Sequence, residues 1–138
     1  MPSASLIKEF EQLVGKENVF SSEADRQSYA YEAAVLKPMI PSLVVRPTEV
    51  EQLGQVVKRC YEEGIPMTVR GSGTNLTGGT IPDCSDTIVI LTPGLNKILE
   101  INTEDLYVTV QPGVIKAQFA AAMAAKGLFY PPDPGSIS

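Results

Sequence analysis

Residues 64–80 read Gly-Ile-Pro-Met-Thr-Val-Arg-Gly-Ser-Gly-Thr-Asn-Leu-Thr-Gly-Gly-Thr, and the rest of the chain is organised around them. The first part, Pro66-Met67-Thr68-Val69-Arg70, has strand character; a loop carrying Gly71, Gly73, Gly78 and Gly79 follows. Glycine tolerates positive φ and has no Cβ, so backbone amides can turn toward one point and admit a ligand closely. Successive N–H groups arranged in this way form a concavity suited to a phosphate or diphosphate. From Gly64 to Pro82 the only ionisable side chain is Arg70. An anion is therefore expected to meet one cation, several amides and the hydroxyls of Ser72, Thr74 and Thr77, with no carboxylate opposing it. The competing reading is a flexible surface turn, because glycine-rich runs punctuate many loops.

Two common phosphate loops are excluded. A P-loop ends in Gly-Lys-Ser/Thr, whereas Gly79 is followed by Thr80 with no lysine nearby. A dinucleotide fingerprint of the Rossmann type needs a third glycine where Leu76 stands, and Pro82-Asp83 interrupt any following helix. What remains is a strand followed by an anion-binding loop.

Upstream, Pro41-Ser42-Leu43-Val44-Val45-Arg46-Pro47 reads as a short buried strand bounded by prolines. Thr48 followed by Glu51 has the spacing of a capping box. The helix it opens places Val50, Leu53, Val56, Val57, Cys60 and Tyr61 on one face and ends at Gly64. Segments 43–45, 49–63 and 65–70 thus form a βαβ unit with parallel strands. The glycine loop leaves the carboxyl end of the second strand, where open α/β sheets bind ligands.

Further upstream, Leu6, Ile7, Phe10, Leu13 and Val14 mark a short amphipathic helix ended by Gly15. Residues 18–20 are expected to be extended, and Ser21 or Ser22 to cap a turn of helix reaching Tyr29. Tyr29 and Tyr31 are expected at a core edge, with stacking on a planar ligand as the alternative. Downstream, residues 87–91 read as a core strand, and residues 98–101 and 106–111 as an antiparallel hairpin with one wet face. An alanine-rich helix over 114–126 should approach a neighbour closely through Val114, Ala117, Ala121, Ala124 and Ala125. The sequence closes on Leu128-Phe129-Tyr130-Pro131-Pro132-Asp133-Pro134-Gly135-Ser136-Ile137-Ser138, a rigid loop with the look of a binding element.

The 138 residues suit one domain, since domains cluster at about 100–150 residues. A net charge of −5 argues against a nucleic-acid surface, which needs clustered Lys and Arg. No apolar run approaches the ~20 residues of a membrane span, and charges stand where a signal peptide would be apolar. A cytoplasmic protein is expected. The two cysteines, Cys60 and Cys84, lack metal-ligand spacing, so no metal site is expected, and Cys60 reads as a reduced core residue. With no histidine in the chain, Ser-His and Cys-His catalysis is excluded, as is any imidazole-ligated metal.

Four motifs stand in order: Val44-Val45-Arg46-Pro47-Thr48, Val69-Arg70-Gly71-Ser72-Gly73-Thr74-Asn75-Leu76 with Gly78-Gly79, Val110-Gln111-Pro112-Gly113-Val114, and Tyr130-Pro131-Pro132-Asp133-Pro134-Gly135-Ser136. Together they resemble the FAD-binding domain of the p-cresol methylhydroxylase/vanillyl-alcohol oxidase group, within it the branch of the glycolate oxidase D subunit and D-lactate dehydrogenase. The resemblance runs from Pro41 onward. It implies an α+β fold, the first lobe of a two-lobe FAD-binding domain, with a βαβ unit, mixed sheet and flanking helices. Residues 1–40 are then an N-terminal helical extension, and 41–138 a truncated FAD-binding lobe.

Carried over by position, Val69, Arg70, Gly71, Ser72, Gly73, Thr74 and Asn75, with Gly78 and Gly79, would cradle the pyrophosphate. Pro47 would sit beside the dinucleotide, Gln111, Pro112 and Gly113 on the adenine side, and Pro132, Asp133, Pro134, Gly135 and Ser136 around the flavin and ribityl. Family members that attach FAD through histidine carry it in the glycine loop. Thr74 and Asn75 stand there instead, which implies noncovalent FAD.

The implied activity is oxidation of a 2-hydroxy acid, glycolate or D-lactate, by an FAD-linked dehydrogenase or oxidase. An iron–sulfur or other redox partner subunit is implied with it, and peripheral membrane attachment through that partner. The family's later flavin segment and substrate-binding cap are not within these residues, so no catalytic residue is named here and this stretch alone is expected to be inactive. The alternatives are a truncated, non-catalytic nucleotide-binding module and another flavoenzyme of the superfamily, such as the reductase acting on UDP-N-acetylenolpyruvoylglucosamine.

Overall fold

The structure is a computed structural model that describes residues 2–33 and 37–132. Helix α1 (Ala4–Val14) is capped by Ser3, whose side chain accepts from the amide of Leu6. It buries Leu6, Phe10 and Val14, one face at helical spacing. A 3₁₀ turn (Lys16–Asn18) leads into β1 (Val19–Phe20), and Ser22 caps the short α2 (Glu23–Gln27). Strand β2 (Leu43–Val45), helix α3 (Val50–Glu62) and strand β3 (Met67–Arg70) are the βαβ segments legible in the sequence.

The strands of that unit are not neighbours. Strand β4 (Ile88–Leu91) lies between them and pairs parallel with both, so the sheet order is β1-β2-β4-β3, with β1 antiparallel at one edge. Leu43 faces Ile88 and Val45 faces Ile90 on one side; Met67 and Val69 take the same partners on the other. All four residues of β4 are buried, as expected for a central parallel strand covered on both faces.

Alternation along the strands builds two cores. Leu43, Val45, Ile88 and Ile90 pack with Phe10, Val14, Val56 and Cys60 beneath α1 and α3. Val44, Val89 and Leu91 point the other way, toward Phe20 and Tyr29. A shared core thus joins α1 and β1 to the βαβ segments.

Several local expectations are corrected. The helix α3 begins one residue later than the Thr48/Glu51 pairing implies, because Glu49 is still extended. The third helical position is therefore Gln52, whose Oε1 accepts from the amides of Thr48 at 2.9 Å and Glu49 at 3.2 Å. Only Leu53, Val56 and Cys60 of the expected stripe turn inward, whereas Val50, Val57 and Tyr61 are exposed. The inward arc is narrow because α3 meets only α1 and the sheet.

Strands β5 (Ile98–Asn102) and β6 (Tyr107–Val110) form the expected antiparallel hairpin, a two-stranded sheet of its own. Its turn is held by Asn102 Oδ1, which accepts from the amides of Glu104 and Asp105, and Leu106 takes the left-handed conformation at φ 56°. The hairpin does not have one dry face: Leu99, Tyr107 and Val110 are all exposed. Helix α4 (Lys116–Ala124) shows the converse of the expected alanine contact. Ala117, Ala121, Ala124 and Ala125 are exposed, and Met123 is its buried residue. Phe119 meets the Tyr130 ring edge to face at 4.9 Å.

Candidate functional site

Strands β2, β3 and β4 run parallel, so their carboxyl ends open on one edge of the sheet. Three connections leave that edge: Arg46-Pro47 from β2, the glycine loop from β3, and Thr92-Pro93-Gly94 from β4. Close backbone contacts hold them together. The amide of Thr92 donates to the carbonyl of Arg70 at 2.9 Å, continuing the ladder one step beyond the strands. A Cβ on Gly94 would lie 2.2 Å from the carbonyl oxygen of Pro47, so only glycine lets the β4 connection cross the buried Pro47. A Cβ on Gly113 would lie 2.0 Å from the carbonyl oxygen of Thr92. The end of the hairpin is thereby pressed against the same connection.

The glycine loop folds into a shallow basin of about 430 Å³ lined by Gly71, Gly73, Thr74, Asn75, Thr77 and Thr80. Gly73 and Gly78 have φ of 74° and 82°, the left-handed conformations that the glycines permit. The amides of Gly71, Gly73 and Thr74 donate to no group among the described residues. They are the donors a diphosphate at this loop could take.

Arg70 does not extend into the basin. It is buried, donates from Nη1 to the carbonyl of Tyr31 at 2.5 Å, and lies 5.9 Å above the Tyr29 ring. Burial works to lower its pKa, with Tyr29 and Glu32 acting in the opposite sense. Its guanidinium fills the space beside Gly73, where a Cβ would lie 2.2 Å from Nη2. The positive charge therefore sits beneath the loop rather than over it. Of the two tyrosines expected at a core edge, Tyr29 is there, supporting both Val44 and the arginine, whereas Tyr31 is exposed.

A carboxylate does stand at this loop, contrary to expectation. Glu32 accepts from the amide of Gly78 at 2.6 Å, Asn75 Nδ2 at 2.7 Å, Thr80 Oγ1 at 2.9 Å and the amide of Thr80 at 3.3 Å. Glu32 is not legible from the loop's own residues, because it meets Gly78 from 46 positions away in the chain. The one sequence cue was an acid beside two tyrosines, Tyr29-Ala30-Tyr31-Glu32.

The remaining site residues are distributed as follows. Val69 is exposed on the edge strand β3, and Ser72 and Gly79 lie on the basin rim. Gln111 is buried and closes a reciprocal pair with Lys97: its amide donates to the Lys97 carbonyl, and its Oε1 accepts from the Lys97 amide, both at 2.9 Å. Gln111 thus closes the open end of the hairpin, and Gly113 anchors it to the β4 connection; Pro112 between them is exposed. Pro132 is exposed too, while Asp133, Pro134, Gly135 and Ser136 lie outside the described residues. Among the described residues no helix is long and apolar enough to cross a membrane.

The glycines without room for a Cβ, the left-handed turns and the unengaged amides fit a dinucleotide diphosphate. Several known proteins are similar to this chain. Glycolate oxidase subunit GlcD of Bacillus subtilis is 43% identical over 126 residues, covering 91% of this chain and 27% of that protein. The D-lactate dehydrogenase of Anaerostipes hadrus is 33% identical over 130 residues, covering 94% and 27%. The chain spans about a quarter of the length of both relatives. The crystal structure of p-cresol methylhydroxylase with substrate bound superposes with a TM-score of 0.79 at 28% identity, over 90% of this chain and 25% of that one. The profile of the FAD binding domain matches residues 41–138, and the chain belongs to that family.

Proposed function

We propose that this chain is the FAD-holding part of a flavin-dependent dehydrogenase or oxidase of small 2-hydroxy acids, with glycolate and D-lactate as the substrates to test first. The observation that carries the proposal is the glycine basin at the carboxyl edge of three parallel strands, with the amides of Gly71, Gly73 and Thr74 unengaged. The names of the two relatives support the substrate class.

FAD, read as noncovalent because Thr74 and Asn75 stand where the resemblance places an attaching histidine, supplies the two-electron chemistry when bound. This chain's residues bind and orient. The amides of Gly71, Gly73 and Thr74 would receive the diphosphate as fixed dipoles, needing no reorganisation. Arg70 would hold the loop from below and add a positive field. Pro47, Gly94 and Gly113 would give the dinucleotide a rigid floor, with Gln111 and Pro112 on the adenine side and residues 132–136 near the flavin. Substrate binding and proton abstraction would belong to residues beyond this stretch, as would contact with an electron-accepting partner such as an iron–sulfur subunit. A cytoplasmic location, peripheral to a membrane through that partner, accompanies the proposal.

Titration with FAD followed by flavin fluorescence tests the binding. Arg70→Ala and Gly73→Val should each weaken it at least tenfold, one by removing the support beneath the loop and the other by placing bulk at φ 74° against that support. Wild-type affinity in both variants would show that the diphosphate does not use this loop. Reduction of an artificial dye with glycolate or D-lactate, by the longest polypeptide the coding sequence specifies, tests the activity.

A further inference from the structure

Tyr31, Glu32 and Ala33, three consecutive residues, all engage the glycine loop or the residue that leads into it. The carbonyl of Tyr31 accepts from Arg70, and the amide of Ala33 donates to the carbonyl of Gly73 at 3.2 Å. Between them, the Glu32 carboxylate collects four hydrogen bonds from Asn75, Gly78 and Thr80. Asn75 Oδ1 lies 3.1 Å from Thr80 Oγ1, whose single proton goes to the nearer Glu32, so the donors pack against one another. Convergent amides and hydroxyls of this kind are what an anion site offers. Here the anion is the protein's own.

An internal anion of this sort either fills the place a ligand would take or shapes a neighbouring place for it. The donors decide between the two. All four bonds to Glu32 come from the distal half of the loop, residues 75–80, while the unengaged amides, those of Gly71, Gly73 and Thr74, belong to the proximal half. A carboxylate satisfied by four donors is not readily displaced, because each donor withdrawn leaves the charge less solvated. The nearby guanidinium of Arg70 offsets its charge, so the proximal amides face the basin without an uncompensated negative charge behind them.

We propose that Glu32 is a positioning residue for the anion site: it locks residues 75–80 in one shape and thereby holds the amides of Gly71, Gly73 and Thr74 open to a diphosphate. The proposal rests on the dinucleotide reading given above.

Amide NMR of the wild-type protein provides the first test. The signals of Gly78 and Thr80 should titrate together with the Glu32 carboxyl as the pH falls, while that of Gly54 on the exposed side of α3 should not. The charged group facing Glu32 is Arg70, beside Asn75 and Thr80, and a guanidinium does not titrate in acid. Binding of FAD, and of ADP as a probe carrying the diphosphate without the flavin, is then measured for wild type, Glu32→Gln, Glu32→Asp and Glu32→Ala. Glu32→Gln is expected to abolish the coupled titration and weaken both ligands about tenfold or more, since it trades an ionised acceptor for an amide that brings donors of its own. Glu32→Asp should recover part of the loss, which a purely structural defect would not do. Unchanged or tighter binding by the Gln variant would overturn the proposal alone, as would Gly78 and Thr80 signals indifferent to acid. Failure of the wild-type protein to bind either FAD or ADP would overturn the dinucleotide reading and the proposal with it.

Discussion

Cys60 is buried among Phe10, Val56 and Ile88, and desolvation pushes its thiol up to about 11. Cys84 is exposed, and hydrogen bonds led by that with Thr87 hold its thiol below the ordinary value. The thiolate is the reacting form, so the two should separate cleanly. An aromatic disulfide reagent, used slightly below the ordinary thiol range, should label one thiol per folded chain, and Cys84→Ser should abolish that labelling. Denaturant should release the second. Equal rates for both thiols in the folded protein would contradict the burial of Cys60. For Glu32 the sign runs the other way along the pH scale. Desolvation works to raise its pKa, but bonds from Thr80, Asn75 and Gly78 outweigh it and hold the carboxyl below its ordinary range. Its stabilising contribution is thus complete above the ordinary carboxylate value and lost as pH falls through the depressed one. Acid should lower the urea midpoint of wild type more than that of Glu32→Gln.

The elements show where a linear sequence does and does not carry the fold. Helices α1 and α3 are legible because their buried residues recur at helical spacing, and β2 and β4 because continuous β-branched runs suit a strand covered on both faces. The insertion of β4 between β2 and β3 was not legible, since strand order is set by packing of distant segments and no local pattern encodes it. The same limit hid Glu32, which meets Gly78 from 46 residues away. For α4 the misreading has another cause: alanine fits a close helix contact and a solvent-facing surface equally well, so its recurrence says nothing of which face is covered. Helix α3 also yields a quantitative expectation. Gly54 lies mid-helix, exposed, with no atom within 4 Å of where a Cβ would be. Gly54→Ala should therefore stabilise the protein by about 0.5–1 kcal/mol, the helix-propensity gain of a glycine replaced without a clash. Urea unfolding measures this; a loss would mean that the face is covered in solution.

On the scale of the whole molecule, the sheet with its two helices and the hairpin with α4 are two bodies of unequal burial. The first holds the core, whereas the second keeps Leu99, Leu106, Tyr107 and Val110 exposed. Their junction is narrow. Among the described residues it includes the Thr92–Leu95 turn, the amide of Gly113 donating to the Leu95 carbonyl at 2.8 Å, and the exposed Lys97–Glu49 ion pair at 3.0 Å. Gly113 is the pivot, because the atoms a Cβ would meet are backbone of Thr92 and Leu95 and cannot swing aside. Gly94 is its counterpart toward β2, where the obstacle is the backbone of Pro47. Gly113→Ala should consequently detach the hairpin from the sheet, at a cost of about 1–3 kcal/mol for overpacking of this kind. Hydrogen exchange should localise the damage: amides of β5 and β6 should lose protection while those of β2 and β4 keep theirs. Gly94→Ala, by contrast, forces apart two connections that both spring from the central sheet. It should lower protection at the ends of β2 and β4 and weaken FAD binding with it, because the floor beneath the glycine loop is the same backbone. If both variants lost protection uniformly, the two bodies would be one cooperative unit, and the site would depend on the hairpin as much as on the sheet.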